Sequence, residues 1–147
     1  MLPRTLGRTA GLLKRMPTNY TKDAFDAFTR VKRGFKYISD ELQYGTKEDW
    51  RFPKDFDNVV GDCDDFAIAC RMLLKERGHD CRLVFCETET GGGHLICTIG
   101  KWALDNRMKS AVGVEYLTGT RGYNLISISG LNPGDDWHSI AGVKSVG

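Results

Sequence analysis

Between Gly61 and Gly78 the chain carries a helix whose two ends and buried face are written in its residues, GDCDDFAIACRMLLKERG. Asp62 suits the N-cap. Asp64 and Asp65 fall in the first turn, where carboxylates meet the positive end of the helix dipole. Cys63, Ala67, Cys70 and Leu74 recur at three and four residues, and Phe66 and Leu73 widen this stripe into a core-facing side. Lys75 and Arg77 occupy the last turn and Gly78 the C′ position, so the stop is as clear as the start. A thiol at a helix N-terminus feels the dipole and nearby amide donors, and both lower its pKa toward a reactive thiolate. A cysteine beside a helix start is also a common small buried residue, so this stretch alone leaves both readings open.

Past Gly78 the hydrophobic period changes from 3.6 to 2. Cys81 to Glu87, CRLVFCE, reads as a strand, TETGGG as a mobile loop, and His94 to Ile99, HLICTI, as a second strand. Gly100-Lys101 is a two-residue turn, and Trp102 to Asp105 is the returning strand. Leu125 to Ser129 is another short strand. Asn106 to Tyr123 is polar and glycine-containing and carries no clear period. The end of the chain, from Leu131, reads as a turn and an irregular tail. Upstream, Asn19 or Thr21 is a candidate cap for a first helix. In it Phe25, Phe28, Val31 and Phe35 keep helical spacing, continued by Tyr37, Ile38 and Leu42 to about Tyr44. Its aromatic stripe reads as core. Trp50 to Asp57 is a loop, because Pro53 lacks an amide donor and biases Phe52 away from helix. Helices followed by antiparallel strands predict an α+β fold, a sheet with helices packed on it.

At 147 residues one domain is expected, over 19–147, preceded by a basic arm over 1–18. A net charge of +2 favours neither nucleic acid nor an acidic membrane surface, and no apolar run is long enough for a membrane span. Five irregularly spaced cysteines argue against a disulfide framework and for a reducing compartment. The arm holds Arg4, Arg8, Lys14 and Arg15 without an acid and shows no secretory signal.

A cysteine nucleophile needs a base, and the base an orienting acceptor. His79 lies a helix length from Cys63, which leaves His94 and His138. The two-residue turn sets Ile99 opposite Trp102, Ile96 opposite Asp105 and His94 opposite Arg107. His94 and Asp105 then share a face as diagonal neighbours, roughly 7 Å apart at the backbone. The carboxylate can hold one ring nitrogen while the other points at a thiol. The opposite face, Leu95, Cys97, Ile99, Trp102 and Leu104, reads as core. A solvated histidine at a strand end fits the residues equally. Zinc at Cys81, Cys86, His94 and Cys97 is disfavoured, because odd spacings turn these side chains to opposite faces.

The run from KYISDELQYG through GDCDDFAIACRMLLKERG, then GHLICTI, then WALDN, resembles the bacterial transglutaminase-like cysteine peptidases, papain-like-fold proteins that include the LapG type. The resemblance covers Phe35 to Asn106 and, weakly, DWHSI in the tail. It implies a papain-like or transglutaminase-like core and a catalytic Cys63, His94 and Asp105, as nucleophile, base and orienter. It also implies calcium at Asp62 and Asp64. Two carboxylates beside the thiol oppose the thiolate, and a hard cation with oxygen ligands would offset them. No organic cofactor is expected. The expected activity is hydrolysis of amide bonds in a protein or peptide substrate. A transglutaminase or glutamine deamidase with the same triad, and a non-catalytic protein-binding module, are the alternatives. The periplasmic members carry a signal peptide and this chain shows none, which predicts a cytoplasmic or phage-encoded relative.

Overall fold

The computed structural model describes residues 20–38 and 53–140. Helix α1 spans Tyr20–Gly34 and helix α2 Cys63–Glu76. Six strands form one antiparallel sheet: β3 (Arg82–Glu87), β4 (Gly93–Ile99), β5 (Trp102–Leu104), β6 (Val112–Gly113), β7 (Asn124–Ile128) and β8 (His138–Ser139). They lie in the order β6-β5-β4-β3-β7-β8. A separate parallel pair joins β1 (Lys36–Tyr37) to β2 (Val60–Gly61). The α+β class expected from the sequence is the one found.

Both helices pack on one face of the sheet. The apolar stripe of α2 meets Leu83, Leu95, Cys97, Ile99 and Leu104, with Ala24, Ala27, Phe28 and Val31 of α1 closing the layer. Phe66 is its hub, holding Phe28 and Phe35 edge-on at centroid distances of 5.5 and 5.1 Å. The ends of α2 are as expected. Asp62 is the N-cap, and a Schellman stop forms at Gly78 (φ +88°), where His79 N–H reaches the Leu74 carbonyl and Gly78 N–H that of Lys75.

The first helix differs from expectation. It stops at Gly34, well short of Tyr44, and Lys36–Tyr37 is a strand. Gly34 lies so close to the Asp57 carbonyl that a Cβ would fall 1.8 Å from its oxygen. That close approach leads the backbone into pairing with β2, through Lys36 N–H to the Val59 carbonyl and Ile38 N–H to that of Gly61. Phe35 keeps its apolar spacing because it packs on Phe66 from outside the helix. Leu42 and Tyr44 lie outside the described residues, as do Asn19 and Trp50. Thr21 lies within α1 instead of capping it, and its hydroxyl accepts from Trp102 Nε1 at 2.9 Å.

The other face of the sheet is not solvated. Val84, Cys86, Ile96, Ala103, Met108, Leu117 and Tyr123 form a second, smaller buried layer. Its cover is the segment without a clear period, which supplies β6, a π-helical turn at Tyr116–Thr120 and the approach to β7. The tail, expected to be irregular, adds the edge strand β8. Among the described residues no helix is long and apolar enough to cross a membrane.

Candidate active site

The start of α2 is held by a reciprocal pair of hydrogen bonds. The Asp62 carboxylate accepts from the Asp65 N–H, and Asp65 Oδ2 accepts from the Asp62 N–H at 3.0 Å, while Asp62 Oδ1 also takes the Asp64 N–H at 3.0 Å. This capping box explains Gly61, whose φ is +152° and whose hypothetical Cβ would fall 2.0 Å from the Asp65 carboxylate. Cys63 is therefore the first helical residue, half-buried, with its sulfur 3.6 Å from Asp64 Oδ1. The Leu95 backbone of β4 acts on this thiol, and Cys63 packs against the helix-side core that Leu95 belongs to.

The hairpin supplies the second half. Ile99 pairs with Trp102 across the Gly100-Lys101 turn, in the expected register, and the ladder runs to Cys97–Leu104. There it ends. Ile96–Asp105 and His94–Arg107 do not pair, because Asp105 opens a turn whose carbonyl accepts from Met108 N–H. The side chains meet all the same. His94 Nε2 lies 2.7 Å from Asp105 Oδ1, with Asp105 fully buried and His94 6% exposed, so the histidine is not a solvated strand end. His79 is elsewhere, bonded to Asp23 of α1 at 2.7 Å, and His138 lies exposed on β8.

The family model of the bacterial transglutaminase-like cysteine proteinases matches residues 13–145. The chain belongs to that family. It is thus a cysteine peptidase, and proteins are its substrate class. Solved structures of LapG from Legionella pneumophila share the fold. One aligns with a TM-score of 0.65 at 17% identity, covering 86% of this chain and 73% of that one. A calcium-bound LapG gives 0.62 at 16%, covering 86% and 78%, and an EGTA-treated LapG gives 0.65 at 16%, covering 82% and 67%. No curated protein matches.

In this proteinase the surroundings of the thiol work against its helix. Burial pushes the Cys63 pKa up, the Asp64 and Asp62 carboxylates add to the rise, and the Leu95 backbone works the other way. Desolvation and adjacent negative charge thus oppose the lowering expected from the helix N-terminus. Ligand atoms of Asp62, Cys63 and Asp64 lie within 4.8 Å of one another, so two carboxylates converge beside the sulfur. Hard oxygen donors at this spacing suit a cation such as calcium. Cys81 and Cys97 lie in the helix-side core and Cys86 in the opposite layer, so these thiols do not converge on a zinc site.

Asp105 has three donors. His94 and the Arg107 backbone N–H reach Oδ1, the latter at 2.9 Å, and the Tyr123 hydroxyl donates to Oδ2 at 2.6 Å. Burial pushes its pKa up, but these hydrogen bonds, His94 first, hold it below the ordinary aspartate range. Arg107 Nη1 donates to the Tyr123 oxygen at 2.8 Å, and its guanidinium grips Glu89 through both nitrogens at 3.1 and 2.7 Å. Sequence reading placed Arg107 near His94 but gave it no role, and it missed Tyr123 and Glu89. Tyr123 ends a segment without periodicity, so no pattern marks it.

Proposed function

We propose that Cys63, His94 and Asp105 form the catalytic triad of this proteinase and that it cleaves amide bonds through a thioester acyl-enzyme. The observation that carries the reading is the buried His94–Asp105 hydrogen bond at 2.7 Å, on the strand whose next residue, Leu95, lies in the core that Cys63 packs against. Because Asp105 is kept as a carboxylate, it accepts from His94 Nε2–H, which leaves Nδ1 as the basic nitrogen for the thiol proton. His94 takes the Cys63 proton, and the sulfur attacks the substrate carbonyl carbon. The backbone N–H of Cys63, at the positive end of α2, stabilises the oxyanion. His94 then returns the proton to the leaving amine. Water, deprotonated by His94, attacks the thioester and frees the carboxylic product and the thiol.

Asp62 and Asp64 would hold calcium, and what the ion supplies when bound is positive charge against two carboxylates that otherwise oppose the thiolate. The calcium-bound and EGTA-treated LapG structures favour this assignment. The test is alkylation by iodoacetamide at neutral pH, read by peptide mass mapping, in calcium and in chelator. Cys63 should label ahead of the other cysteines, and His94→Ala should slow it roughly tenfold or more. Chelator should slow it as well. Labelling at the rate of an ordinary thiol in both conditions would overturn the triad.

A further inference from the structure

Asp105 is held from two sides, and only one side belongs to the triad. Its Oδ2 takes a 2.6 Å hydrogen bond from the Tyr123 hydroxyl, and that hydroxyl oxygen accepts from Arg107 Nη1 at 2.8 Å. Tyr123 is 4% exposed and also stands edge-on to the His94 ring, at a centroid distance of 5.9 Å and 86° between planes. The Arg107 guanidinium lies over the Tyr123 ring at 5.6 Å and is fixed at its far end by Glu89. One phenol therefore touches both members of the acid–base pair, and its own orientation is set by a cation.

We infer that Tyr123 is a positioning residue for the His94–Asp105 pair, with Arg107 as its clamp. The inference rests on the triad reading above. An aspartate with a single partner can rotate about its side-chain torsions, and a second donor on the other oxygen removes that freedom. The phenol also draws negative charge from the carboxylate, and the Arg107 bond polarises its O–H to do so more strongly. Tyr123 thus does two things. It fixes the direction in which Asp105 offers Oδ1 to the ring, and it moderates how strongly the carboxylate favours the charged imidazolium.

The second effect has a direction: without the hydroxyl, the carboxylate charge concentrates on its hydrogen bond to His94. The charged and titratable groups that meet this pair are Asp105 and Arg107 from the turn after β5 and Tyr123 ahead of β7, with Glu89 beyond Arg107. Tyr123→Phe leaves every one of these except the phenol in place.

The experiment follows the His94 Nε2–H resonance, the proton shared with Asp105, by NMR at one fixed pH in the full chain. Tyr123→Phe should move it downfield, because the carboxylate charge then concentrates on that bond, and Arg107→Met should move it the same way. Leu117→Ala cuts the same buried layer and keeps the side chains of the network, and it should leave the resonance in place. An unmoved resonance in a folded Tyr123→Phe overturns the inference. So does an equal shift in Leu117→Ala, because loosened packing would then explain it. Alkylation of Cys63 with and without His94 decides the triad reading separately, so either idea can fail while the other stands.

Discussion

The two faces of the sheet are built on different physics. The helix side is an apolar layer, where α1 and α2 bury Phe28, Phe66, Ile68 and Leu74 against the strands, with Cys63 partly buried beside it. The other side is thinner, and its middle is occupied by hydrogen bonds that run from Glu89 through Arg107 and Tyr123 to Asp105 and His94. Cohesion on the first face is non-directional and scales with buried area. On the second it depends on individual donors and acceptors, each costly to orphan. Cys63 packs with the first face, and the His94–Asp105 bond belongs with the network of the second.

The sharpest way to break this contrast is to cut each layer. Leu74→Ala should destabilise by about 2–5 kcal/mol in urea unfolding, because the residue is fully buried between helix and sheet. Leu117→Ala should fall at the low end of that range, since the thin layer can relax around the gap. An equal or larger loss at Leu117 would show that the second face is as tightly packed as the first.

Next in size is Asp105→Asn, which keeps the shape and removes the charge. It should cost about 1–3 kcal/mol at neutral pH, because His94 and Tyr123 both donate to the carboxylate. The pH dependence has a fixed sign. Folding lowers the Asp105 pKa, so its stabilisation is present above the ordinary aspartate value of 3.8 and is lost as pH falls through the lower folded value. Unfolding midpoints across the acid range should therefore fall less steeply in Asp105→Asn than in the parent chain. On the helix side Asp23, lowered chiefly by its bond to His79, gives a slope of the same sign, and Asp105→Asn should leave it intact. The smallest effect belongs to Lys22→Ala. Its ion pair with Asp26 is open to solvent, and the unfolding midpoint should not move measurably.

The same contrast explains what could be read from the residues. α2 was legible throughout, because periodicity, cap and stop all agree along one continuous stretch. The His94–Asp105 pair was half legible: the two-residue turn sets the register as far as Cys97–Leu104, but the ladder stops there and burial, which the residues left open, is what separates the pair from a solvated strand end. The end of α1 was not, since Phe35 continues the apolar spacing while the close approach of Gly34 to Asp57 turns the backbone away. The second layer was illegible for a related reason. Tyr123 reaches Asp105 across 18 residues of short strand and π-helical turn, where no repeating period exists to be seen. The thiol's electrostatics were half legible: the opposing carboxylates were plain, but burial, the largest influence, is set by β4.

The hairpin turn at Gly100-Lys101 has a consequence for the order in which the chain acquires competence. His94 and Asp105 are separated by 11 residues, so closing the loop that joins them carries a small entropic penalty, and the pair is a local product of one β-hairpin. Cys63 takes its place only when α2 docks on the sheet, across a much longer stretch of chain. The buried hydrogen-bonded pair is thus assembled by local folding and the seat of the thiol by global folding, and a partly folded chain holds the first without the second.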